Sequence, residues 1–175
     1  MTSPDLEPRL DSADPGEQFA AYLDYYRAVV ARKVEGLTDA QLRTSLLPSG
    51  WTPLEMVSHL AHMERRWFVW GFLGEQVDRP WGDNADDAPE SSWRVPQGVG
   101  RDELVATLHA GGERTRELLA GRDLAERAAV GGRFTTDDGT PPTLLWICFH
   151  VLQEYARHAG HLDVARELAD GSTGE

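Results

Sequence analysis

Apolar positions recur at helical spacing in four long stretches of the chain, and none of them alternates as a half-buried strand would. The first stretch opens where Asp14 can cap a helix and Pro15 fits its first turn, and the run FAAYLDYYRAVVARKVE continues to Gly36. Phe19, Tyr22, Leu23, Tyr26, Val29 and Val30 share one face of it. Thr38 and Gln41 then fit a capping box over a turn or two of TDAQLRTSLL, which reads as part of a loop ended by Pro48-Ser49-Gly50. The second long helix has the strongest start: Thr52 as cap, Pro53 in the first turn and Glu55 three after the cap. It runs to Gly74 with Leu54, Val57, Leu60 and Ala61 inward.

The third helix, about Arg101 to Ala120, turns Leu104, Val105, Leu108, Leu118 and Leu119 to the core; Gly111-Gly112 inside it marks a close neighbour or a bend. The fourth is capped by Thr140, has Pro141 in its first turn, and carries LLWICFHVLQEYARHAGHLDVARELAD to Gly171. Between the second and third lies EQVDRPWGDNADDAPESSWRVPQGVG, 26 residues without a sustained period. Its Trp81 and Trp93 point to packing on the bundle or to a lid over a site. RAAVGGRFTTDDG could supply a small extended hairpin. The expectation is an all-α four-helix bundle with long connecting loops and helices crossing near 20°. One domain would span 1–175, with 1–13 and 171–175 as flexible tails.

Composition narrows the function classes. With 17 basic against 29 acidic side chains the formal charge is -12, which disfavours a phosphate-backbone partner because that affinity comes from clustered Lys and Arg. The apolar runs LLWICF and WFVWGFLG fall well short of the roughly 20 residues of a membrane span. Cys148 is the sole cysteine, so no internal disulfide forms, and MTSPDLEPRLDSADPGEQ has neither a basic start nor an apolar stretch. The expected location is the cytoplasm. All basic residues but Lys33 are arginine, a bias that hints at a GC-rich host.

Candidate chemistry concentrates in the histidines. His150, Glu154, His158 and His161 fall within an arc of about 80° on one face of the last helix. Carboxylate and imidazole groups on a core helix must face water, bond internally or hold a cation. Glu154 and His158 project in parallel one turn apart, and His59, with His62 three residues on, offers imidazole from the second helix. A His59, Glu154 and His158 set provides two nitrogens and one oxygen, as in open zinc sites; nickel, manganese or iron could also be accommodated. His161 competes for a ligand place or for a general-base role. His62 and His150 would support the ligands from behind, His109 reads as a solvent residue, and Cys148 as a small buried one.

Two segments, WTPLEMVSHLAHMERRW and HVLQEYARHAGHLDVARELADG, resemble the DinB-like metal-binding four-helix bundles, and especially their mycothiol-dependent thiol-transferase branch. The second is close to that branch's E-x-x-R-H-x-G-H-x-D-x-x-R-E pattern. The resemblance implies His59, Glu154 and His158 as ligands of a divalent metal ion, zinc foremost, where many relatives have His in place of Glu154. The similar maleylpyruvate isomerase branch uses the same His, Glu and His set, and the isomerase proper adds a C-terminal domain outside the matching segments. The implied activity is a metal-dependent thiol S-transferase that conjugates mycothiol, or another low-molecular-weight thiol, to an electrophilic small molecule in detoxification. The ion would favour the thiolate, with the electrophile seated among Trp51, Trp81 or Trp93 and His161 or a water handling the proton. A second reading has the ion activate water for hydrolysis of an amide or ester. A third, of a different class, is a noncatalytic bundle, monomer or homodimer, whose ion stabilises the fold or senses stress.

Overall fold

A computed structural model describes residues 7 and 8, 12–78 and 94–173, and among them the regular elements are all helical. The first helix, α1 (Pro15–Val34), starts as the sequence indicates: the Asp14 carboxylate accepts the Glu17 N–H at 3.0 Å. The segment read as loop closes one true helical turn, α2 (Asp39–Leu42), because both halves of the Thr38 and Gln41 capping box form and the Gln41 amide also donates to the Ala169 carbonyl at 3.0 Å. The next helix, α3 (Pro53–Arg65), has its own complete box between Thr52 and Glu55. Two further helices, α4 (Arg101–Leu119) and α5 (Leu144–Asp170), complete the bundle. Both α1 and α3 pack against α4 and α5, so α1 and α3 lie diagonally opposed and the chain crosses one end of the bundle between them.

The core joins Leu23, Val30 and Val34 of α1 to Leu54, Val57 and Leu60 of α3, and Leu104 and Leu108 of α4 to Ile147 and Val151 of α5. The expected inward positions of α3 are all buried, and of those on α4 only Val105 is partly exposed. No helix among the described residues is long and apolar enough to cross a membrane.

Three details depart from the sequence pattern. Beyond Arg65 the α-helix widens into a π-helical segment, Arg66–Phe72, instead of continuing as α to Gly74. Its Trp70 and Phe72 carbonyls are thereby available to a passing loop, accepting from Arg133 at 3.0 Å and Ala129 at 2.9 Å. Gly132 permits that docking, since a Cβ there would lie 2.0 Å from the Trp70 oxygen. The expected hairpin in this loop is absent: isolated bridges pair Arg127 with Thr143 and Val130 with Phe134, and the loop's other bonds go to helix ends or to its own turns. Finally, Thr143 caps α5, not Thr140. Pro142 disfavours the α conformation at Pro141, so the helix begins only after both prolines. Glu126 and Leu124 carbonyls then take the Leu144 and Leu145 N–H groups at 2.8 and 2.9 Å.

A buried ionic cluster ties the four long helices together. The Glu64 carboxylate receives Arg27 Nη2 at 2.5 Å and Nε at 2.9 Å, the Tyr155 hydroxyl at 2.5 Å, and the Thr115 hydroxyl. Arg27 and Glu64 are each 1% exposed, which a charge tolerates only with its bonding capacity filled. Burial and the neighbouring Glu64 push the Tyr155 hydroxyl well above its usual range, so it remains a donor. Glycine at 112 makes room: a Cβ there would sit 2.6 Å from Arg27 Nε. The adjacent Gly111 faces nothing within 4 Å.

These two glycines should respond oppositely to the same substitution. Gly111→Ala is expected to raise stability by up to about 1 kcal/mol through helix propensity. Gly112→Ala should lower it, because displacing Arg27 exposes the protein to the roughly 3–5 kcal/mol cost of breaking a buried ion pair. Urea denaturation midpoints of the two variants, compared with the parent, check both signs.

Candidate metal centre

Side chains from α3 and α5 converge on one another. His59 lies in the second turn of α3, oriented by the fully capped start at Thr52, while Glu154 and His158 lie one turn apart on α5. His59 Nε2 is 3.5 Å from Glu154 Oε2, and His158 Nε2 is 3.3 Å from the same oxygen. One donor atom from each of the three residues lies within 4.8 Å of the other two. The imidazole rings are 4.7 Å apart, and Trp51, immediately before the Thr52 cap, holds both: it stacks on His158 at 5.4 Å and meets His59 edge-on at 5.8 Å. On the far side of the His158 ring, its Nδ1 is 3.3 Å from His161 Nδ1.

The electrostatics suit a cation. Burial pulls His59 down to about 4 even though Glu154 acts in the opposite direction, so the imidazole is neutral at physiological pH. Glu154 is held below the usual carboxylate range by hydrogen bonding with His158 and then His59, which together outweigh its desolvation. Neutral imidazole and ionised carboxylate are the forms that bind a divalent ion, and two nitrogens with one oxygen match a three-ligand site with a position left for substrate.

A cavity of about 470 Å³ opens above this cluster, with Leu47, Trp51 and Met56 as apolar walls and Arg157 and His161 beside the cluster. Of the residues singled out from sequence, His59, Glu154, His158, His161 and Trp51 therefore meet around one space. Trp81 and Trp93 lie outside the described residues. His109 is exposed on α4. His62, although burial and then Arg65 and Arg66 lower it to about 4, does not line the cavity. His150 departs from its neighbours on the stripe: it packs 4.1 Å from Trp67 and stacks 5.3 Å from Trp146. Lining residues not singled out from the sequence are Leu47, Ser49, Met56 and Arg157, the first two in a loop without a periodic signal. Arg157 adjoins His158 in sequence, and Met56 precedes His59 by one turn, so spacing alone could have found these two.

Comparison with known proteins adds a family. A family model described as mycothiol-S-transferase matches residues 18–171. Among solved structures, the chain is similar to one described as a conserved protein of locus from Enterococcus faecalis, at TM-score 0.63 and 15% identity. That match covers 92% of this chain and 100% of the other, and it speaks for the fold. No curated protein gives a significant match.

Cys148 stays apart from this chemistry. It is fully buried, and burial pushes its thiol up to about 12. Alkylation by iodoacetamide at pH 8 is expected to be negligible in the folded protein and rapid in denaturant, as read by intact mass. Fast labelling of the native state would show that the thiol is accessible after all.

Proposed function

The chain belongs to the mycothiol-S-transferase family, and from that membership and the His59, Glu154 and His158 cluster we propose that it is a divalent-metal-dependent thiol S-transferase. The cosubstrate is mycothiol or a similar low-molecular-weight thiol, and the acceptor is a small electrophile. The observation that carries this reading is the convergence of two imidazoles and an ionised carboxylate on one open cavity, in a chain whose own thiol is sealed away.

His59, Glu154 and His158 would hold the ion, with zinc the best match to their donor set. A bound divalent ion supplies Lewis acidity that favours thiolate over thiol at neutral pH. The protein's residues do the rest. Trp51 fixes both imidazole planes by stacking and edge contact, and His161 buttresses His158 through the paired Nδ1 atoms. Leu47, Met56 and Trp51 exclude water from part of the cavity and provide an apolar seat for the electrophile. In the reaction the thiol gives up its proton to His161 or to solvent. Sulfur then bonds to the electrophilic carbon as the leaving group departs with its electron pair and takes up a proton.

Titration of metal-free protein with zinc should give one ion per chain by elemental analysis and calorimetry. Zinc at about 100 times its Kd should stabilise the fold by about 2.7 kcal/mol. Glu154→Gln and His158→Ala should each reduce affinity by more than the roughly 10–100-fold cost of losing a supporting contact. Thiol conjugation of an electrophilic probe should disappear with them. Turnover of the probe that proceeds equally without thiol would favour hydrolysis instead.

His161→Ala tests the second role. The variant should still bind zinc, about 10–100-fold more weakly, and at saturating zinc should lose conjugation rate by roughly 10²–10⁴-fold if proton handling is its part. A measured kcat within a factor of two of the parent would remove His161 from the reaction.

A further inference from the structure

The cavity carries one permanently charged cation of its own, and that group is not used to hold the protein together. Arg157 is exposed on α5, lines the cavity beside His158 and His161, and has no ion-pair or hydrogen-bond partner among the described residues. This is unusual in a chain with 29 acidic side chains against 17 basic ones. Arg43, Arg101, Arg114, Arg116 and Arg122 each pair with a carboxylate. Arg157 has an acid at ordinary pairing distance along its helix, Glu154 three residues before it, yet that carboxylate is turned to His59 and His158. The positions four residues away on either side are Gln153 and His161, neither of them acidic. Among the described residues the lining has a single carboxylate, committed to the imidazoles, with Leu47, Trp51 and Met56 as apolar walls.

Guanidinium presents a planar fork of donors that fits a carboxylate bidentately, and a free one at the edge of an apolar cavity favours an anion entering it. We propose that Arg157 recognises a carboxylate on the substrate, so that the molecules handled by this site are organic acids and not neutral electrophiles. The proposal rests on the transferase reading and names its substrate class. Arg157 anchors the acid end of the molecule at the rim while the reactive carbon lies deeper, toward Glu154 and the two imidazoles.

The test uses the zinc-loaded full chain and matched substrates. An α-bromo acid and its primary amide, from which bromide can leave, are compared as electrophiles with one fixed thiol. N-acetylcysteine and its amide are compared as thiols with one fixed electrophile. Arg157→Ala should raise KM for the acidic electrophile by roughly tenfold, leave kcat and the amide electrophile unchanged, and Arg157→Lys should recover part of the loss. A response confined to the N-acetylcysteine pair would place the anion on the thiol and overturn the proposal. The parent's KM for the acid should also rise with salt, because Arg157 is solvent-exposed. Succinate binding, followed by calorimetry, gives a readout independent of turnover: its affinity should fall about tenfold in Arg157→Ala while zinc content stays at one ion per chain. Equal effects of Arg157→Ala on acids and amides, or unchanged succinate affinity, would overturn the proposal. Absence of any thiol-dependent turnover alongside an Arg157-dependent succinate affinity would instead overturn the transferase reading and leave the anion site standing.

Discussion

The Glu64 carboxylate, paired with Arg27, sits in the middle of the bundle with almost no access to water, and the arrangement of all four long helices follows from satisfying it. Arg27 arrives from α1, Thr115 from α4 and Tyr155 from α5, each with a donor aimed at an oxygen of the α3 glutamate. Apolar packing alone tolerates sliding and rotation of one helix on another, because its energy varies smoothly with area. Hydrogen bonds to a buried charge do not, since a small displacement leaves a donor or a carboxylate oxygen unsatisfied. The cluster therefore fixes the register of α5 against α3, and Tyr155 is the direct neighbour of Glu154.

Two buried or half-buried glutamates in one bundle meet opposite fates. Glu64 is enclosed by a bidentate guanidinium and two hydroxyls, which fill its acceptor capacity and leave nothing for a ligand. Glu154 receives only imidazoles and retains 17% side-chain exposure to a cavity. The same side chain is structural where the surrounding donors saturate it and chemically available where they do not. The fully bonded Glu64 makes the partly bonded Glu154 tolerable, because the rigid register it sets holds Glu154 beside two imidazoles whose neutral form suits a cation.

Much of this was legible in the chain. Caps at Asp14 and Thr52 define helix starts because their side-chain oxygens satisfy N–H groups that no other arrangement reaches, and the inward positions of α3 follow from periodicity alone. The Glu154 and His158 pairing is likewise a local consequence of helical pitch. Less was legible where two signals competed. Thr140 and Pro141 imitate a helix start, but Pro142 removes the α conformation from Pro141 and passes the cap to Thr143. The buried ion pair left a trace that went unread: Arg27 follows Leu23 by one turn on the apolar face of α1, and Glu64 follows Leu60 likewise on α3.

Sequence by itself determined the helices, their inner faces and which turns carry imidazole and carboxylate, because these are short-range properties of backbone geometry. It could not decide that His59 meets Glu154 across about 95 intervening residues, that His150 leaves the stripe for Trp67 and Trp146, or that Arg157 ends beside the cavity without an acidic partner among the described residues. Those outcomes depend on which helices become neighbours and how each is rotated. Only the closed bundle settles that, since the donors that saturate Glu64 come from three other helices and exist together in the folded state alone.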